Sequence, residues 1–340
     1  MIPRDDEMAQ RANTKQMIKH HSAWLGIVAI CLLAMLSRPA GAESAYPNRP
    51  IRFVVAFAPG GITDIIARLV GEKLSDKLGQ SVVIDNKGGA AGELGAKIVS
   101  TAEADGYTLL VTTTAVAIGA AATASDVNPH TQLMPIALVA SAPTLFAVKT
   151  PTSANNLMEF VRAHKDGPLT FSSAGTGTTE HLTAAYVLGA IKGIESVHVP
   201  YRSGAESINA VLGGHVDIAS TPSATALALI QEGKLKALAV ASHKRVAMFP
   251  DVPTLAESGM IDVENASWIA IFGPPNLSQA VAQTLSAALN DALHQPDLQK
   301  RLAEMGFDPH KMSQAEMADY MQSEVTKWGD ILKATSVTLE

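Results

Sequence analysis

The sequence predicts an α/β protein of two lobes, and three observations carry the prediction. From Tyr46 onward, short apolar runs alternate with amphipathic segments, the pattern of strands and helices packed in layers. After Pro151 the same plan restarts without repeating the earlier sequence. Then "SWIAIFGPP" (267–275) reads as a strand returning to the first lobe, so the chain crosses between lobes twice, near 145–150 and 267–272, in hinge-like wiring. Each lobe is a sheet flanked by helices, with 46–146 and 269–340 in lobe 1 and 147–268 in lobe 2. A chain of 340 residues has room for both.

The elements follow in order. "IRFVVAF" (51–57) is a buried strand, and "DIIARLVGEKLSDKLG" (64–79) a helix with Ile65, Leu69, Leu74 and Leu78 along one face and Gly79 as its C-cap. "SVVIDN" (81–86) is the second strand, followed by the loop "KGGAAGELG" and a helix through Ser100. "YTLLVTTT" (107–114) is a third strand ending in hydroxyls, Thr113 among them, and "MPIALVASAPTLFAVK" (134–149) supplies further strand. In the second block "SANNLMEFVRAH" (153–164) is a helix with Ser153 as N-cap. Next come a strand "LTFSSAG" (169–175), the loop and helix "TGTTEHLTAAYVLGAIKG", a strand "VHVPY" (197–201) and a helix "GAESINAVLGG". A strand "VDIAS" (216–220), a helix "ATALALIQEG" and a strand "LKALAVAS" (235–242) complete it. Helices over 278–293, 297–305 and 313–333 pack onto lobe 1.

Composition narrows the function classes. Hydrophobic residues make up 47%, aromatic 5% and charged 17%, a core-forming composition. The formal net charge of −6 argues against nucleic acid. The apolar run "WLGIVAICLLAML" (24–36) is short for a membrane span, follows Lys15, Lys19 and two histidines, and precedes the small residues of "AGA" (Ala40 to Ala42). Residues 1–42 therefore read as a secretory signal peptide cut after Ala42, with Met1 or Met17 as the start; a retained anchor is the alternative. The segment carries five basic and three acidic residues out of 26 and 32 in the chain, so the mature chain has 21 and 29, a formal charge of −8. It also carries Cys31, the one cysteine, and mid-run placement after Ile30 does not suit a lipoprotein. An exported chain without cysteine fits a bacterial periplasm.

Two glycine loops stand out. In "APGGITD", Ala58, Pro59, Gly60 and Gly61 join a strand to a helix. There the backbone can approach a ligand, and free N–H groups attract a carboxylate or phosphate. Thr63 or Asp64 is expected to cap that helix. On this motif alone a tight structural turn fits equally well. "SSAGTGTTEH" (172–181) is its counterpart in lobe 2: Gly175 and Gly177 loosen the backbone, and Thr176, Thr178 and Thr179 offer hydroxyls at a helix start. Glu180 stands where a dinucleotide fingerprint needs glycine, and there is no P-loop, nucleophile elbow or H-E-x-x-H. No cofactor and no metal is expected. His164, His181, His198 and His215 recur every 17 residues in differing contexts. Of these only His181 is expected near a ligand, a structural hydrogen bond being its other reading. Tyr201 and Arg202 sit at a strand-to-helix loop, where Arg202 either pairs with a carboxylate or lies on the surface.

The stretches "YPNRPIRFVVAFAPGGITDIIAR", "LGQSVVIDNKGGAAGELGA", "ADGYTLL", "VPYRSGAESINAVLGGHVD", "GKLKALAVAS" and "FPDVPTLAESG" occur in this order. Together they resemble the extracytoplasmic solute receptors of tripartite tricarboxylate transport systems, the Bug family, across 46–335. The resemblance implies a two-lobed periplasmic binding protein of type II that closes around a carboxylated solute. The residues matching Ala58 to Asp64 and Gly175 to His181 would grip the carboxylate. It also implies a two-subunit membrane permease as partner. The solute would be a di- or tricarboxylate, an acidic amino acid or an aromatic acid. Departures such as "AFAPGG", "ADGYTLL", "YRSG" and "IASTPSA" leave the ligand open. The expectation is thus a monomeric receptor that catalyses no reaction; a sensor of the same fold signalling to a membrane kinase is the alternative.

Overall fold

The computed structural model describes residues 46–164, 167–335 and 337–339; the expected signal peptide lies outside them. The described helices and strands all belong to one compact unit, Arg49–Glu340. In chain order they are β1 (Ile51–Val55), α1 (Ile62–Leu78), β2 (Val82–Asn86), α2 (Glu93–Ser100), β3 (Thr108–Thr113), α3 (Ala115–Ala121) and β4 (Met134–Lys149). Then follow α4 (Leu157–Ala163), β5 (Leu169–Ser173), α5 (Thr179–Gly189), β6 (Ser196–Pro200), α6 (Gly204–Gly213), β7 (Ile218–Pro222), α7 (Ser223–Gln231) and β8 (Leu235–Val240). The chain finishes with β9 (Ala266–Gly273), α8 (Gln279–Leu293), α9 (Pro296–Glu304), β10 (Asp308–Pro309) and α10 (Gln314–Thr335).

One path of strands, β2-β1-β3-β9-β4-β7-β5-β6, runs through both halves, with β8 and β10 also paired to β4. β1 is parallel to β2 and β3, and β5 is parallel to β6 and β7, the signature of strand-helix-strand crossovers. β4 belongs to both halves. Its Met134–Pro143 stretch pairs antiparallel with β9, and its Thr144–Lys149 stretch pairs with β7 and β8. Register shifts between Pro135 and Ala137, Leu138 and Ala140, and Phe146 and Ala147 mark bulges, which bend and twist a strand so that it can serve two sheets. The chain returns beside that junction, where Thr144 N–H donates to the Asn265 carbonyl and Asn265 N–H to that of Ala241.

β4 is buried along nearly its whole length because helices cover both faces, which is why it reads as an unbroken apolar run. The first half is built around Trp268 and Trp328 with Met317, Met321 and Leu110. In the second, Phe146, Phe171 and Leu238 fill one face and Leu145, Ile208 and Val240 the other.

Three local expectations need correction. The buried face of α1 is Ile66, Val70 and Leu74 with Thr63, Asp64, Ala67 and Gly71, whereas Ile65 is 41% exposed. Burying the polar first turn rotates the helix away from the face that its apolar residues alone suggest. The cap of α1 is Gly61, with no side-chain capping bond, and Asp64 serves the preceding loop instead. α4 starts at Leu157, and its N-cap is Asn156, whose side chain accepts from Glu159 N–H; Ser153 lies outside it. Gly79 does cap α1, in the left-handed conformation.

Candidate functional site

The carboxyl ends of the strands in both halves carry the loops singled out above. Between β1 and α1, Ala58, Pro59, Gly60 and Gly61 are exposed, and Gly60 has φ +80°, a conformation that favours glycine. This loop is held from behind by Asp64, which is 3% exposed. The Asp64 carboxylate accepts from Gly60 N–H (2.9 Å), the Asn86 amide (3.0 Å) and the Arg68 guanidinium (3.0 and 3.1 Å). The Arg68 bond, helped by those from Gly60 and Asn86, holds its carboxyl below the usual carboxylate range against the opposing effect of burial. Asn86 also donates to the Phe57 carbonyl, so the end of β2 is tied to the same loop. Thr63 is buried beside Asp64.

The loop after β2 carries an unforeseen feature. Ala90 and Ala91 adopt φ of +46° and +51°, left-handed values that cost a residue with a Cβ and recur at ligand clamps. Nothing in "KGGAAGELG" marks the alanines, rather than the glycines, as the strained positions. At the end of β3, Thr113 Oγ1 accepts from Ala115 N–H, which starts α3, a helix that the element reading omitted. Its stretch AVAIGAA has no polar residue and so shows no amphipathic period.

In the second half, Thr178 caps α5 by accepting from His181 N–H and donates to the Gly175 carbonyl. Gly175 (φ +133°) and Gly177 (φ +77°) both need glycine's freedom. Gly177 N–H donates to His181 Nδ1 at 3.0 Å, so that nitrogen carries no proton. His181, 6% exposed, lies face to face with His198 at 3.8 Å between ring centroids, and His198 in turn stacks on Phe171. The Ser173 hydroxyl bonds His198 Nε2 at 2.8 Å. Burial lowers the pKa of both rings, that of His198 to about 4 with the charge of His181 as a second cause. Of the four evenly spaced histidines, the structure therefore joins two. The signal was there in part: Phe171 and His198 are register partners on β5 and β6, and His181 begins the helix that follows β5.

Glu180 and Thr179 are buried. The Glu180 carboxyl accepts from the Ser267 hydroxyl at 2.6 Å and its carbonyl from that of Ser220, which ties α5 to β9 and β7; burial raises its pKa. Tyr201 is half-buried, and its N–H donates to the Ser173 carbonyl beside Gly175. Arg202 is exposed, and its N–H donates to Glu206.

A cavity of about 730 Å³ opens among these loops. Ala90 and Ala91 line it from the β2–α2 loop, Ala115, Val116 and Ile118 from α3, and Thr176 and Gly177 from the loop before α5. Thr338 and Leu339 complete the wall. Among the residues singled out from sequence, Thr176 and Gly177 reach this space. Ala58 to Asp64 do not line it, nor do Thr113, Tyr201 and Arg202. Thr176, which brings a hydroxyl, is exposed. Among the described residues no group of histidine, cysteine or carboxylate side chains could hold a metal, and no helix is long and apolar enough to cross a membrane.

Comparison with known proteins agrees with this fold. The tripartite tricarboxylate transporter receptor family matches residues 66–337. A Bordetella pertussis protein of the UPF0065 group is 34% identical over 317 residues, covering 90% of this chain and 95% of its own. The periplasmic binding protein BugD is 31% identical with a TM-score of 0.69, over 87% of this chain and all of its own. A Rhodopseudomonas palustris protein solved with adipate is 27% identical with a TM-score of 0.71, over 86% and 99% of the two chains. MatC of the same organism, with bound malate, is 29% identical with a TM-score of 0.69, over 84% and 100%. With a family model over most of the chain and relatives of the same fold, the chain belongs to the tripartite tricarboxylate transporter receptor family, the extracytoplasmic solute receptors that include the Bug proteins.

Proposed function

We propose that this protein is a periplasmic receptor that holds a carboxylated organic acid between two lobes and delivers it to a two-subunit membrane permease. The lobes are 46–146 with 269–340, and 147–268, and residues 1–42 export the chain. The observation that carries the reading is the placement of Thr176 and Gly177, just ahead of the α5 start, in a cavity whose far wall comes from the other half of the molecule. The hydroxyl and N–H of Thr176, just ahead of a helix N-terminus, suit a carboxylate. Relatives solved with adipate and malate support the same ligand chemistry. Asp64, Asn86 and Arg68 hold the first glycine loop in shape. A ligand touching both lobes favours the closed arrangement by its differential affinity. No nucleophile, metal or cofactor enters the reading, which is binding without turnover.

A thermal-shift screen of the exported chain over dicarboxylates, tricarboxylates, acidic amino acids and aromatic acids tests it. A ligand at a hundredfold excess over its Kd stabilises by about 2.7 kcal/mol, an easily read shift. A flat response to every acid beside a shift with sugars or cations would overturn the proposal.

A further inference from the structure

The wall that the α10-following segment contributes to the cavity has a consequence for ligand choice. α10 ends at Thr335, and Val337 and Leu339 then pack, half-buried, against the core of the first half. Leu339 reaches across to the second half. A Cβ built on Gly177 would lie 2.6 Å from Leu339 Cδ2, so the leucine side chain sits directly against the backbone of the second-lobe loop. One residue thus spans the two walls, beside Thr176. Most of the remaining lining has the same character: Ala90, Ala91, Val116 and Ile118 are apolar, Ser125 and Thr338 add hydroxyls, and among the described lining residues Glu93 is the one ionisable side chain. It carries the wrong sign for an anion, and its carboxylate already accepts from Asp126 N–H.

Resting on the carboxylate-receptor reading above, we infer that the cavity selects an acid with a single carboxylate and an apolar body, and that Leu339 is the specificity-determining residue against which that body packs. One carboxylate finds donors in the hydroxyl and N–H of Thr176, the N–H of Gly177 being given to His181. A second or third would lose its hydration facing alanine, valine, isoleucine and leucine, with no lysine or arginine among the described lining residues to replace the water. An aliphatic or aromatic body instead gains from leaving water, and Leu339 offers it the largest apolar group that touches the anion loop.

Calorimetric titration of the exported chain with hexanoate, benzoate, malate and citrate tests this, in the wild type and in Leu339→Ala. The expected result is at least tenfold tighter binding of hexanoate or benzoate than of malate or citrate. Leu339→Ala should weaken that acid by about tenfold, with native circular dichroism retained, and leave malate and citrate where they were. Leu339→Met, which keeps the apolar volume, should restore most of the affinity. Malate or citrate binding as tightly as the apolar acids, or an unaltered preference in Leu339→Ala, would overturn the inference while leaving the carboxylate receptor standing. Binding of none of the four would overturn both.

Discussion

Asp64 is the residue at which the fold and the site depend on one carboxylate, and replacing it with alanine is an informative perturbation. Its two oxygens accept from Gly60, Asn86 and Arg68, and the side chain is 5% exposed. A hydrogen bond to a charged group contributes about 1.5–3 kcal/mol net. The Arg68 side chain is 54% exposed and Gly60 lies at the surface, so water reclaims both partners and their share is discounted. The bond to half-buried Asn86 counts in full. Asp64→Ala should therefore cost about 2–4 kcal/mol, and Asp64→Asn, which keeps one acceptor, about 1–2 kcal/mol. Urea denaturation reads the loss, and hydrogen exchange at the Gly60 amide reads release of the loop. The pH dependence has a definite sign. The folded-state pKa of Asp64 is lowered, so its contribution is complete above the ordinary carboxylate pKa of about 3.9 and disappears as pH falls through the folded value. A loss below about 0.5 kcal/mol in Asp64→Ala, with unchanged Gly60 exchange, would refute the claim that this carboxylate organises the loop.

Other consequences follow from the same geometry. Glu324, 1% exposed, accepts from the indole N–H of Trp268 (2.8 Å) and Trp328 (3.1 Å) and pairs with Lys327. Glu324→Ala should destabilise by about 3–5 kcal/mol, and Glu324→Gln by much less, in denaturation followed by tryptophan fluorescence. His198, lowered from 6.5 to about 4, binds its proton more readily when unfolded, so stability should decline as pH falls from 6.5 toward 4. The decline is at most about 3 kcal/mol, and about half that once partial exposure is allowed for. His198→Phe should flatten this part of the stability curve. Gly177→Ala combines an unfavourable φ with a contact at Leu339, and calorimetry of whichever acid binds should show at least a tenfold loss.

Most elements were legible because each carries its own period or punctuation. Gly79 closes α1, and the apolar runs of β1, β3 and β4 could hardly be anything but buried strands. What escaped belongs to tertiary structure. α3 escaped because its stretch AVAIGAA has no polar face to give it a period. The faces of α1 were misassigned because Thr63 and Asp64, polar in sequence, are buried to serve a loop. His198 reads as an ordinary strand residue until β6 pairs with β5 and α5 folds back over both. Ala90 and Ala91 give no sign of their left-handed backbone, which only the packing of two loops imposes. The two glycine loops themselves were readable from glycine and hydroxyl content. Which of their residues reach the cavity was not, since that depends on how the halves face each other.

The central claim is that the cavity before α5 holds a carboxylate. A crystal structure with the tightest-binding acid from the screen tests it most directly. The account predicts a carboxylate within hydrogen-bond distance of the Thr176 hydroxyl and N–H, with the rest of the ligand between Ala91 and Leu339. An acid bound elsewhere, with Thr176 and Gly177 untouched, would contradict it.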